Sequence, residues 1–183
     1  MASWIWIFII LAGGLFGLKI IYVLSIALVL PITQGALYVS TSRKKIAAFI
    51  NAVPMKAGQT LVDLGCGDGR VLREAHKRYG IRTIGYEINP LAYLKARLCS
   101  CGSNKIKIRR ANFWEADLTG ADVVFCYLYP DVMKKLAAKL QSGLKPGAIV
   151  VSSNFPLPGH IPCKILRAES NLHNDPIYIY HLN

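Results

Sequence analysis

The stretch Val62-Asp63-Leu64-Gly65-Cys66-Gly67-Asp68-Gly69-Arg70 decides the fold. The apolar run from Thr60 to Leu64 reads as a buried strand. Three glycines at alternate positions follow, and Val71-Leu72-Arg73-Glu74-Ala75 then opens a helical pattern. A strand that turns through glycines into a helix brings backbone close to a ligand and aims free N–H groups at it. The spacing is Gly-x-Gly-x-Gly, with Arg70 where a dinucleotide fingerprint would continue toward its third glycine, and no Lys-Ser/Thr follows as a phosphate loop requires. Asp63 lies inside the strand, two residues before Gly65. A carboxylate there suits a ligand that carries an ammonium group rather than a pyrophosphate.

A second short apolar strand, Thr83-Ile84-Gly85-Tyr86-Glu87, ends in an acid 22 positions after Gly65. Carboxylates about 20 residues past such a turn accept hydrogen bonds from ribose hydroxyls. A plainer reading makes Asp63 a turn cap and Glu87 a surface acid. The order strand, loop, helix, strand, acid argues against it.

These residues resemble the first two motifs of class I S-adenosylmethionine (SAM) dependent methyltransferases. The likeness extends to Leu37-Tyr38-Val39-Ser40-Thr41-Ser42, Gly85-Tyr86-Glu87-Ile88-Asn89-Pro90 and Phe155-Pro156-Leu157-Pro158. Together they resemble a family of small membrane-anchored protein lysine methyltransferases, whose mitochondrial members modify the adenine nucleotide translocase and the ATP synthase c subunit. The resemblance spans roughly residues 38–158. It implies a Rossmann-like α/β fold with a seven-stranded sheet, and SAM as cofactor. It implies that Asp63, Gly65, Cys66, Gly67, Asp68, Gly69, Glu87 and Ile88 hold that cofactor, and that Tyr38 to Ser42 close over it.

Ahead of this domain, Trp4 to Leu30 is almost unbroken apolar sequence. As a helix it is ~40 Å long, enough to cross the ~30 Å hydrocarbon core of a bilayer with some tilt. A secretory signal is disfavoured, because no Lys or Arg precedes the run and no small-x-small cleavage site follows. Trp4 and Trp6 suit one membrane interface and Tyr38 the other. Lys19 costs ~2.5–3.5 kcal/mol in mid-span on insertion scales, but the segments on either side of it are each too short to span easily, so one span is expected rather than two segments joined near Gly17. Gly13 and Gly17 form a Gly-x-x-x-Gly pair suited to close helix packing in lipid. No acid occurs before Asp63, and Arg43-Lys44-Lys45 and Lys56 follow the run. The positive-inside rule then places the C-terminal domain on the cytoplasmic side, with the mitochondrial inner membrane as the family's alternative. The expected organisation is an anchor at 1–31, a linker and helix at 32–53, and the methyltransferase domain at 54–183.

The net charge of +12 fits anionic lipid or nucleic acid. Beside an anchor, lipid is the better reading, and no nucleic-acid partner is expected. Five cysteines, an odd count with Cys66 in the ligand loop, suggest neither a disulfide framework nor a metal site.

Within the domain, Thr41 or Ser42 caps a helix from Arg43 to Ala52, ended by Pro54. Helices are expected at Arg70 to Tyr79, from Asn89-Pro90 onward, and at Val132 to Gln141 with Asp131 as cap. Strands are expected at Lys105 to Arg110, Asp122 to Leu128, Ala148 to Ser153, Lys164 to Glu169 and Ile177 to His181. Class I methyltransferases offer an acid to the adenine amino group in the loop after the third strand. Here Asn112 stands at that place, with Asp117 as competitor and Phe113 or Trp114 as the stacking aromatic. Tyr127-Leu128-Tyr129-Pro130 ends the central strand, where ligand chemistry occurs in open α/β sheets. Tyr127, Tyr129 and Pro130 are therefore the expected acceptor side, with Trp114 as a further aromatic wall. The expected activity is methyl transfer from SAM to a lysine of a membrane-associated protein. A lipid, quinone or other small-molecule acceptor is the alternative. RNA ranks below both, because an Asn/Asp-Pro-Pro-aromatic motif is absent.

Overall fold

The computed structural model describes residues 2–29, 40–167 and 175–182. The chain divides into an N-terminal unit ending at residue 37 and a second unit from residue 38 onward. In the first, α1 runs Ala2–Val29 without interruption. Its described side chains are almost all exposed, and the segment Trp4–Leu24 is long and apolar enough to cross a membrane. Helix continues through Gly17 and Lys19, so the two-segment hairpin does not form. Nothing lies within 4 Å of a Cβ built on Gly13 or Gly17. The expected interface residue Tyr38 lies outside the described residues.

The second unit is built on β1 (Thr60–Leu64), β2 (Arg82–Tyr86), β3 (Ile106–Arg109), β4 (Val123–Cys126), β5 (Ala148–Ser153), β6 (Lys164–Leu166) and β7 (Ile177–Leu182). They form one seven-stranded sheet in the order β3-β2-β1-β4-β5-β7-β6. β1 to β5 are parallel, and β7 runs antiparallel between β5 and β6. The chain leaves β1 outward to β2 and β3, then returns to place β4 on the other side of β1. The carboxyl ends of β1 and β4 are therefore the switch point of the sheet, where open α/β folds bind ligands.

The helices follow from capping and periodicity. α2 is Arg43–Ala52; the Ser42 side chain accepts from the Lys45 N–H at its start. α3 is Arg70–Tyr79, α4 is Pro90–Cys99 and α5 is Pro130–Gly143. Asn89 caps α4 by accepting from the N–H groups of Leu91 and Ala92, and Pro90 occupies the first turn. At α5 the expectation is corrected. The cap position is Tyr129, Pro130 opens the helix, and Asp131 lies inside the first turn. Proline at the first turn loses no intrahelical bond, so the helix starts earlier than Asp131 suggested.

Two cores flank the sheet. On one face Ile46, Phe49 and Ile50 of α2 pack with Leu72 and Ala75 of α3 against Leu61, Phe125 and Val151. The Phe49 and Phe125 rings lie 5.1 Å apart. On the other, Leu136 and Leu140 of α5 cover Val62, Leu64, Val124 and Tyr180. Fully burying one such side chain stabilises by about 1.5–3 kcal/mol. α2 is thus part of the sheet's own core rather than an appendage before it.

Candidate active site

β1 delivers Asp63 to the switch point, and register sets Phe125 of β4 opposite it. The chain then leaves the strand plane. Gly65, Gly67 and Gly69 all have positive φ, at 79°, 56° and 74°, a region that disfavours any Cβ. The N–H groups of Gly65 and Cys66 both bond to the Tyr86 carbonyl, which fastens the loop to the end of β2. Gly85 makes that approach possible. A Cβ there would come within 2.5 Å of both the Cys66 Sγ and a Leu72 methyl.

Glu87 follows β2 directly and is buried. Its Oε2 accepts from the Gly67 N–H at 2.8 Å and its Oε1 from the Asn89 N–H at 2.7 Å. The carboxylate therefore shapes the glycine loop and the start of α4. Two oxygens offer about four acceptor sites, so capacity remains for hydroxyl donors. Burial raises the Glu87 pKa above its ordinary value, and the N–H groups of Asn89, Gly67 and Ile88 pull it back. Ile88 itself is half-buried beside it.

Asp68 has a different environment. The Arg70 side chain grips it through two hydrogen bonds, Nε at 2.9 Å and Nη2 at 2.7 Å, and Lys95 lies 3.4 Å away. The Arg70 bonds hold its carboxyl at about 2 against the opposing effect of burial. Arg70 also donates to the Thr41 carbonyl at 3.2 Å. It thus ties the glycine loop to the segment before α2, whose Ser40 and Thr41 line the cleft. Tyr38 and Val39 of that segment lie outside the described residues.

The cleft is bounded by Ser40, Thr41, Asp63, Gly65 to Asp68, Arg70, Val71 and Phe125, and holds about 260 Å³ of space, part of it open to solvent. A wider hollow between α2 and α3, lined by Arg43, Ile50, Asn51 and Arg78 among others, lies away from the strand ends. Chemistry favours the narrower cleft. Asp63 is buried, and its pKa stands well above the ordinary carboxylate value, first because of that burial and then because of Glu87 and Asp68. Three carboxyl groups converge on the glycine loop, and only Asp68 has a strong cation partner among the described contacts. That arrangement fits a ligand carrying positive charge and hydroxyl donors. SAM, with its sulfonium, ammonium and ribose, is such a ligand, and it supplies an electrophilic methyl group when bound. Cys66 is buried, and its thiol is pushed up by that burial and by Asp63, so it packs as an uncharged side chain.

The adenine-side residues lie after β3. Asn112 caps the short 3-10 turn Phe113–Glu115, its Oδ1 accepting from the Trp114 N–H at 3.1 Å. Asp117 is exposed and bonded to both the N–H and hydroxyl of Thr119, so it closes a turn in solvent. The Phe113 and Trp114 rings meet at a tilt of 43° with centres 4.8 Å apart, and the Lys135 ammonium sits 4.6 Å over the indole. Both rings pack against the α5 core, whereas Tyr127 packs against the α2 core on the opposite face. Trp114 and Tyr127 therefore do not wall one channel between them. Tyr129, half-buried, and Pro130, exposed, follow Tyr127 at the mouth of β4.

Residues 63–164 match the ANTKMT methyltransferase domain family. The chain belongs to this family. It is 32% identical to a protein-lysine N-methyltransferase of Saccharolobus islandicus, over 78% of this chain and 91% of that protein. It is 35% identical to the mouse adenine nucleotide translocase lysine N-methyltransferase over 74% of this chain, and spans 60% of that longer relative. Among solved structures, an RNA methyltransferase from Salinibacter ruber in complex with S-adenosylhomocysteine superposes with a TM-score of 0.74 at 31% identity, covering 79% of this chain and 94% of that one. A SAM-dependent methyltransferase from Thiobacillus denitrificans shares the fold at TM-score 0.56 and 21% identity, covering 68% of this chain and 54% of that one. This family member is a SAM-dependent methyltransferase with the class I fold.

The sequence pointed to the glycine loop, both acids and the Tyr127 region. It missed Arg70 as the tie to Thr41, and it missed Lys45, Asn154 and Asp175, which meet beside Tyr127. One signal was present: Lys45 falls among Ile46, Phe49 and Ile50 on the buried face of an amphipathic helix, where a lysine needs a partner.

Proposed function

We propose that the chain is a protein-lysine methyltransferase, held at a membrane by α1 and acting on a membrane-associated protein. The observation that carries the acceptor class is the pair of relatives from an archaeon and a mouse, each named for lysine N-methylation and each more than 30% identical. Asp63 and the glycine loop hold the charged end of SAM, Glu87 its ribose, and Ile88, Asn112 and Phe113 the adenine side. Tyr127, Tyr129 and Pro130 border the acceptor. Asn112 retains one free lone pair on Oδ1 for the adenine amino group, which is weaker support than an acid would give.

A lysine acceptor must be neutral when it reacts, since an ammonium has no lone pair. At a pKa near 10.4 only about one in 2,500 is neutral at pH 7. Desolvation at the half-buried mouth of β4 favours the neutral form. Tyr127 stays a neutral hydroxyl, raised by burial and then by Asp175. It offers the amine an uncharged acceptor and a ring face. Positioning then supplies much of the rate.

Trp4–Leu24, 21 residues or about 32 Å of helix, matches a bilayer core. The basic residues after it put the catalytic domain on the cytoplasmic side, or the matrix side if the membrane is mitochondrial. An RNA acceptor is a second reading, favoured by the described activity of the Salinibacter protein and by the charge of +12. Incubation of the full chain with methyl-labelled SAM, membranes and total RNA separates the two. Label in protein that hydrolyses to methyl-lysine supports the proposal. Label sensitive to ribonuclease, or extracted with lipid, overturns it.

A further inference from the structure

Three segments send side chains to one point beside Tyr127. Lys45 of α2 is buried, although its neighbour Lys44 is exposed. Its ammonium donates to the Asn154 Oδ1 at 2.5 Å and to the Asp175 carboxylate at 2.7 Å, and lies 5.2 Å from the centre of the Tyr127 ring. Asn154 follows β5 and is the one non-glycine residue with positive φ, 72°, among the described residues. Its N–H donates to the Pro176 carbonyl at 2.8 Å, and its Nδ2 donates to the Tyr127 hydroxyl at 3.0 Å. Asp175 and Pro176 lead into β7.

Burying an ammonium is costly unless it is paired and hydrogen-bonded. A left-handed backbone on a residue with a Cβ also costs, though asparagine tolerates it best. Both costs are borne here at the carboxyl ends of β4 and β5, two residues beyond Phe125 of the cofactor cleft. The packing of α2 does not require this: Ile46, Phe49 and Ile50 already fill the core. What the two costs achieve together is a fixed Tyr127. The Lys45 bond sets which way the Asn154 amide faces, oxygen toward the ammonium and Nδ2 toward the phenol. The phenol oxygen then has one lone pair filled by Asn154 and the other directed away from it.

We infer that Lys45, Asn154 and Asp175 are positioning residues that fix the Tyr127 hydroxyl as the docking point of the acceptor amine. This rests on the lysine-acceptor reading above. An amine N–H donated to the free lone pair of Tyr127 fixes where the amine's own lone pair points. A rotating phenol would leave that direction open, and small losses of alignment cost large factors in displacement reactions.

The test is a double-mutant cycle on the full chain in detergent, with poly-L-lysine and source membranes as acceptors and methyl-labelled SAM as donor. Asn154→Asp keeps the left-handed turn and the Lys45 bond but removes the donor to Tyr127. Asn154→Gly keeps the turn and removes the side chain, and Lys45→Met keeps the packed stem. Each is expected to lower kcat about tenfold or more, with the SAM dissociation constant within about twofold of wild type. In a Tyr127→Phe background each should cost less than about twofold further, because its effect runs through that hydroxyl. Equal losses with and without the hydroxyl would overturn the inference, as would a fall in melting temperature with kcat unchanged. A wild-type enzyme that labels neither acceptor would instead refute the lysine reading, and this inference with it.

Discussion

On the proposed reading Glu87 serves the loop and the ligand at once, so the usual alanine test is ambiguous. Glu87→Ala strips the acceptors from the Gly67 and Asn89 N–H groups and so deforms the site as well as emptying it. Glu87→Gln keeps the shape and one acceptor oxygen. It should weaken SAM binding about 10- to 100-fold, the worth of a charge-assisted hydrogen bond of about 1.5–3 kcal/mol, with Glu87→Ala worse still; calorimetric titration reads both. Asp63 allows a sharper test through pH. In the free protein its carboxyl binds its proton more tightly than in the unfolded chain, because burial, Glu87 and Asp68 all oppose its charge. Stability of the free protein therefore falls as pH rises through that raised value. A cationic cofactor favours the ionised form, so its binding releases a proton below that value. Affinity should climb with pH and level off once Asp63 is ionised in the free protein. Asp63→Asn should abolish the climb, weaken SAM about tenfold or more, and leave the ligand-free protein at least as heat-stable as wild type. An affinity that does not rise with pH in wild type, or that rises equally in Asp63→Asn, would contradict this charge assignment. These two acids were legible because a single turn and its distance to the next strand place them. Lys45, Asn154 and Asp175 were not, since they lie up to 130 positions apart and only the register of β4, β5 and β7 brings them together.

At the scale of elements, the glycine loop lies so close to β2 that Gly85 has no room for a side chain. Gly85→Ala forces its methyl onto Cys66 and Leu72 and should destabilise by about 1–3 kcal/mol while weakening SAM binding. Gly102→Ala, with nothing within 4 Å, is the matched control and should be near neutral. Thermal melts with and without SAM check both. The β1 and β5 boundaries and those of α2 and α3 could be read directly, because caps, glycines and apolar runs mark them. β4 ends at Cys126, two residues before its apolar run does. Hydropathy continues through Tyr127 and Leu128, which leave the ladder to enter the two cores instead. At α5, Pro130 outweighed Asp131 as the start signal for the same local reason.

At the scale of the whole molecule, an apolar helix and a basic methyltransferase domain occupy one short chain. If α1 is an anchor, the full chain should stay with membranes through alkaline carbonate extraction, and removal of residues 1–29 should release it with its SAM affinity intact. Lys19→Leu should retain membrane association, since it removes a cost of ~2.5–3.5 kcal/mol from the span. Release of the intact chain by carbonate would count against the anchor and leave the catalytic assignment untouched. The measurement that bears most directly on the central claim is methyl transfer from labelled SAM to source membranes by wild type beside Glu87→Gln. The account predicts label on a discrete protein band, recovered as methyl-lysine and strongly reduced in the variant. Label absent from protein, or equal in the two, would contradict it.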